Sequence, residues 1–299
     1  MPFLTNPTVA RAITGLLSRG PGPRVPAEIA FAEIPATTES TRIPTRHGEI
    51  GATVYHPPTG VAGAPVYLNF HGGGFVIRHP EQDDALCRYL AAKAGVVVLN
   101  VDYDVAPRHP FPIPVEQGYD AAVWAADEGR PWDGTHLVVG GQSAGGAIAA
   151  AIARQALDQH GPDIQLQVLH YPPLDLATPG EQKRAAGKSI ISIPMTHLFD
   201  TAYIPDPQAR HHPLASPAWG GNAECIEGIA PALVVSCEYD RLHDESVRYA
   251  ESLRAAGALV EHLDLLGVDH GYNLMGAPRE LVERVYATIA DRVRETTGP

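Results

Sequence analysis

The sequence predicts an α/β protein with a mostly parallel central sheet flanked by helices. Two observations predict it. From about Ile50 onward, short apolar runs alternate with helix-like segments, the signature of a doubly wound sheet. The runs are β-branched or Leu-rich with little polar alternation, as strands buried on both faces are. The length of 299 residues suits one large α/β domain with a core that needs no staples.

The expected elements follow in order. Val9, Ile13, Leu16 and Leu17 recur at helical spacing and predict a short amphipathic helix packed on its own protein. The stretch around it is interrupted by Arg11, Thr14 and Gly15 and has no signal-peptide cleavage pattern. Residues 41–45 and 50–55 read as a hairpin at the sheet edge. Strands are expected at 65–70, 96–101, 137–141, 164–170, 232–237 and 260–266. Helices are expected at 81–94, 115–127, 144–159, 244–256 and 278–296. Between Leu174 and Pro231 the alternation fails, and Pro, His and aromatic residues appear instead. So long an interval inside a domain is usually a lid or binding loop, the alternative being a solvated insertion. The expected organisation is an N-terminal cap segment over 1–40, a catalytic domain over 41–299, and a helical cap inserted at about 175–215.

Composition narrows the function. The charge is −12, from 22 Lys+Arg against 34 Asp+Glu, so a nucleic-acid partner is not expected. No apolar run reaches the ~18–20 residues of a membrane span. Cys87, Cys225 and Cys237 lack metal or CxxC spacing and read as reduced thiols of a cytoplasmic protein. Neither HExxH nor a Cys/His cluster occurs, so no metal and no cofactor are expected.

Two motifs carry chemistry. Gly141-Gln142-Ser143-Ala144-Gly145 falls between a predicted strand and a predicted Ala-rich helix. A serine on such a turn is pushed above the sheet, and the helix N-terminus favours developing negative charge. The rival, a phosphate-binding loop, lacks both the GxGxxG pattern and a following Lys. His71-Gly72-Gly73-Gly74-Phe75 follows another strand. Three successive glycines cost backbone entropy, and they suit a place where bare N–H groups face a substrate oxyanion. The bland alternative is a flexible turn. His71, preceding the glycines, reads as a brace for that loop.

HGGGF, then Asp102-Tyr103-Asp104-Val105-Ala106-Pro107-Arg108-His109-Pro110-Phe111-Pro112, then GQSAGG resembles the α/β-hydrolase fold. The match is to its hormone-sensitive-lipase-like (bacterial family IV) esterases, from about residue 41 to the end. The resemblance implies Ser143 as nucleophile. The family's D-x-L-x-D-E pattern maps onto Asp240 as acid, and its H-G-F/Y pattern onto His270 as base. Of the other nearby acids, Glu238 lies close to the strand, and Asp244 reads as the cap of the next helix. The resemblance also implies oxyanion donors from Gly73, Gly74 and Ala144, with Gly72 as a further contributor. Three positions depart from the pattern: Gln142 and Arg108 stand where acids are usual, and Arg241 where Pro is common.

The expected activity is hydrolysis of short- to medium-chain carboxylic esters through an acyl-enzyme. The alternatives are an amidase or deacetylase on the same triad, and a non-catalytic module that holds a small molecule. The expected partner is a small ester; a homodimer is compatible with the sequence. Phe75, Leu198, Phe199, Tyr203 and Tyr272 are the candidate substrate-pocket residues. Ile190, Ile191, Ile193 and Met195 extend the apolar run, which serves equally well as cap-to-core packing.

Overall fold

The computed structural model describes residues 3–298 apart from Arg19, Pro21 and Pro23. A hairpin of β1 (Thr37–Thr45) and β2 (Gly48–His56) precedes β3 (Pro65–Phe70), β4 (Val97–Asp102) and β5 (Asp133–Gln142). The strands β6 (Ile164–His170), β7 (Ala232–Cys237) and β8 (Leu259–Leu265) complete an eight-stranded sheet. Its order is β1-β2-β4-β3-β5-β6-β7-β8, antiparallel at the hairpin and at β2–β4 and parallel elsewhere. The helices are α1 (Pro7–Leu17), α2 (Asp84–Ala94), α3 (Ile113–Ala125), α4 (Ala144–Gln159), α5 (Ile193–Tyr203), α6 (His243–Ala255) and α7 (Arg279–Thr297).

The period of two along a strand builds a core on each face. Val66, Leu68 and Phe70 of β3 join Leu99, Val139 and the buried faces of α3, α4 and α6. Tyr67, between them, joins Val98, Val138 and the buried faces of α2 and α7. Each fully buried aliphatic side chain contributes roughly 1.5–3 kcal/mol. The sheet is therefore held rigidly from both sides. The parallel strands send the loops after β3, β5, β7 and β8 to one common edge, where the motif residues lie.

Four expectations need correction. The run at 260–266 is no doubly buried strand: Val260 is 44% and Leu266 74% exposed, because β8 is the sheet edge with a neighbour on one side only. The helix expected from Glu81 starts at Asp84, after a 3₁₀ turn over Pro80–Asp83. There the Asp83 side chain turns inward to Asn69 and Gln142. Asp244 does not cap α6. Leu242 is the N-cap residue, and its N–H is bonded by Asp240 instead. In α1 the buried face runs through Ala10 and Thr14, while Leu16 is 70% and Leu17 43% exposed. Small residues allow α1 to lie close against α5, and the leucines rotate outward.

Between Leu174 and Pro231 the chain forms no strand, only α5 and two 3₁₀ turns. Of the segment expected as an N-terminal cap, Met1, Pro2, Arg19, Pro21 and Pro23 lie outside the described residues, as does Pro299 at the other end. Among the described residues no helix is long and apolar enough to cross a membrane.

Candidate active site

Ser143 sits between β5 and α4 with φ +54° and ψ −123°, a conformation a side-chain-bearing residue rarely adopts. The turn is possible because Gly141 and Gly145, two residues to either side, lack side chains. A Cβ on Gly145 would lie 1.7 Å from the Phe70 carbonyl oxygen, and one on Gly141 2.3 Å from it. The backbone of α4 is thereby pressed against the end of β3.

The three side chains expected to act together do converge, from three loops. His270 Nε2 lies 2.9 Å from Ser143 Oγ, and His270 Nδ1 lies 2.6 Å from Asp240 Oδ2. Asp240 is fully buried and its other oxygen accepts the Leu242 N–H at 3.0 Å, which fixes the carboxylate plane. Glu238 instead accepts the Gly267 N–H, and Asp244 pairs with His243.

The glycine loop folds over Ser143. The Gly73 carbonyl accepts the N–H groups of Val76 and Ile77, at 3.1 and 2.9 Å, which locks the loop. Gly73 and Gly74 have φ of +123° and +59°, and the N–H groups of both donate to no described acceptor. The Ala144 N–H, first in α4, has no intrahelical partner either. A Cβ on Gly72 would come within 3.4 Å of the Ser143 Cβ, so this residue also lines the nucleophile.

His71 is buried and braces the loop, as expected. Its Nδ1 donates to the Gly72 carbonyl at 2.6 Å and its ring stacks on Tyr103 at 4.3 Å. Burial pushes its pKa down to about 4 and that of His170 to about 3, so both are neutral.

Behind Ser143 lies a buried polar network that the sequence did not announce. The Gln142 amide donates to Asp83, and its oxygen lies 2.6 Å from both Tyr171 Oη and Asn273 Nδ2. Asn69 donates to Asp83 at 2.8 Å. Tyr171 in turn lies with its ring 4.7 Å from that of His270. Gln142 thus occupies its position as the amide partner of a buried acid. Arg108 is exposed, and Arg241 bonds the carbonyls of Ile191 and Lys183.

A cavity of about 320 Å³ opens above Ser143 and His270. Phe75 and Phe199 line it, together with Ile190, Ile191 and Met195. Leu198, Tyr203 and Tyr272 do not. Leu198 is buried in the core behind α5. Tyr203 stacks flat on Phe75 at 3.9 Å, and Tyr272 bonds His170. Helical geometry explains the split: Met195, Thr196, Phe199 and Asp200 form the lining face of α5, and Leu198 lies to the side of it, toward the core. Leu176, Leu242, Leu274 and Met275 also line it and carry no local signal in the sequence.

Residues 67–274 match the α/β hydrolase fold family. The chain belongs to that family, in its hormone-sensitive-lipase-like branch. It is similar to Esterase LipI of Mycobacterium tuberculosis, 38% identical over 231 residues, 75% of this chain and 71% of that one. It is also similar to the ethyl acetate hydrolase of Pseudomonas putida, 32% identical over 273 residues, 88% of this chain and 84% of that protein. Among solved structures, a Pyrobaculum calidifontis esterase superposes with a TM-score of 0.82 at 32% identity, covering 96% of this chain and 92% of that one. This α/β hydrolase thus shares its fold with esterases.

Proposed function

We propose that this α/β hydrolase is a serine carboxylesterase acting on short- to medium-chain esters through an acyl-enzyme. The observation that carries the reading is the continuous relay from Ser143 Oγ to His270 at 2.9 Å and from His270 to Asp240 at 2.6 Å. His270 Nε2 takes the Ser143 proton as Oγ attacks the ester carbonyl, and then returns it to the departing alcohol oxygen. Asp240 accepts the Nδ1–H, holding the tautomer that leaves Nε2 free to act as base. The developing oxyanion is received by the N–H groups of Gly73, Gly74 and Ala144, with the dipole of α4 behind them. A water activated by His270 then releases the acid.

A cavity of about 320 Å³ with mainly apolar walls supports small acyl or alcohol groups, at the lower end of small-molecule sites. Of the N-terminal segment, α1 acts with the insertion at about 175–215 as its cap: α1 packs on α5, and α5 presents Met195 and Phe199 to the cavity. Ile29 and Phe31 instead join the core beneath α2 and α7. The test is hydrolysis of p-nitrophenyl esters from acetate to palmitate by wild type and Ser143→Ala. Rates that peak at short chains and vanish in the variant are expected. Turnover no greater than that of Ser143→Ala on every ester would overturn the reading.

A further inference from the structure

Two charged side chains break the apolar wall of the substrate cavity, Lys183 and Asp200. Their situations differ. Lys183 is committed: its Nζ lies 2.6 Å from Glu245 Oε2, with both side chains buried. The second oxygen of Glu245 accepts the N–H groups of Leu174 and Asp175, at 2.7 and 3.2 Å. That pair closes on itself and anchors the start of the insertion to α6.

Asp200 is uncommitted. Its carboxylate receives no hydrogen bond from any described residue and has no cation within salt-bridge distance. The cations that feel it are engaged elsewhere. Arg210 donates to the Ile204 carbonyl and the Thr201 hydroxyl, His197 pairs with Glu181, and Lys183 pairs with Glu245. Burial pushes Asp200 up to about 6, with Lys183, Arg210 and His197 pulling the other way. Asp200 is half-buried, so its carboxylate meets a mainly apolar cavity without a protein donor, and proteins keep such a group where a ligand completes it. Asp200 follows Phe199 on α5, and both line the space that opens onto Ser143.

We infer that the cavity takes esters bearing a hydroxyl or ammonium group remote from the scissile carbonyl, with the Asp200 carboxylate receiving that donor. The inference rests on the esterase reading and narrows its substrate class. The apolar residues between, such as Ile191 and Met195, suit the intervening methylenes. Asp200 is thus a specificity-determining residue and takes no part in the chemical step.

The test compares isosteric substrates. Ethyl heptanoate is set against the ethyl esters of the acids whose terminal methyl is replaced by hydroxyl or ammonium. Heptyl acetate and its ω-hydroxy and ω-amino isosteres form the alcohol-side set. Wild type is expected to favour the donor-bearing member of at least one set by about tenfold in kcat/KM, seen chiefly as a lower KM. In Asp200→Leu that ratio is expected to fall to about one or below. Equal kcat/KM for methyl- and donor-bearing esters in wild type overturns the inference, and needs no variant to do so. A preference that persists in Asp200→Leu overturns the role of Asp200. Hydrolysis of ethyl heptanoate by wild type and not by Ser143→Ala keeps the esterase reading standing in either case.

Discussion

The guanidinium of Arg241 donates from Nε to the Ile191 carbonyl at 2.8 Å and from Nη1 to the Lys183 carbonyl at 2.7 Å. The residue after Asp240 thus holds the loop that roofs the substrate cavity. Asp269, the residue before His270, accepts the Ile190 N–H at 2.7 Å and the Ser189 hydroxyl at 3.2 Å. The loops bearing Asp240 and His270 are therefore tied to the same stretch of the insertion.

Arg241→Ala should loosen that stretch while leaving Asp240 and His270 in place. Lost charge-assisted hydrogen bonds of this kind cost about 1.5–3 kcal/mol. KM for a p-nitrophenyl ester is expected to rise more than kcat falls, and limited proteolysis should cut within residues 183–191. An unchanged KM with an unchanged cleavage pattern would count against the tie.

Removing members of the relay should produce non-additive losses. Ser143→Ala and His270→Ala are each expected to lower kcat by on the order of 10⁶, and the double variant no further. Asp240→Asn should cost about 10⁴, because the imidazole then adopts the wrong tautomer. Additive losses in the double variant would mean that the two side chains act separately.

Gly74 is expected to tolerate no side chain. A Cβ there would lie 2.1 Å from Phe199 Cδ2, on a residue with φ +59°. Gly74→Ala should displace the loop and lower kcat by about 10²–10³, the loss typical of one oxyanion donor. Adding Phe199→Ala removes the clash but not the backbone strain, so recovery should be partial. Full recovery would show that steric contact with the ring was the whole effect.

Asp83 should make stability depend on pH. Burial pushes it from 3.8 up to about 7, against hydrogen bonds from Asn69 and Gln142. The folded state therefore keeps this proton longer than the unfolded chain does. The resulting stability is complete below about pH 4 and is lost as pH rises through about 7. Asp83→Asn removes that loss, so the stability of the variant relative to wild type, read from Tm, should climb between about pH 4 and pH 7, by up to a few kcal/mol. A pH-independent difference between the two proteins would refute the assignment. His71 and His170, both pushed down by burial, act in the opposite sense in wild type and variant alike, so they cancel in the comparison.

Much of this architecture is legible in the chain because its signals are local. A strand buried on both faces must be apolar at every position, and a strand-to-helix turn that presents Ser143 must have small residues beside it. The sheet, the glycine loop and the positions of Asp240 and His270 at strand ends follow from such rules together with the family resemblance. The substrate wall does not. Which face of α5 meets the cavity was settled by how Tyr203 stacks on Phe75, and that put Phe199 inside and Leu198 behind. Leu16 and Leu17 turned outward because Ala10 and Thr14 approach their neighbours more closely. Sequence, read with the family resemblance, placed the proposed nucleophile, base and acid along the chain, because a strand-to-helix turn and strand ends leave local signals. Only the tertiary structure decided that Gln142 serves a buried Asp83 and that Asp200 lines the cavity without a partner among the described residues. Both depend on residues far apart in sequence meeting in space, and no local rule encodes such a meeting.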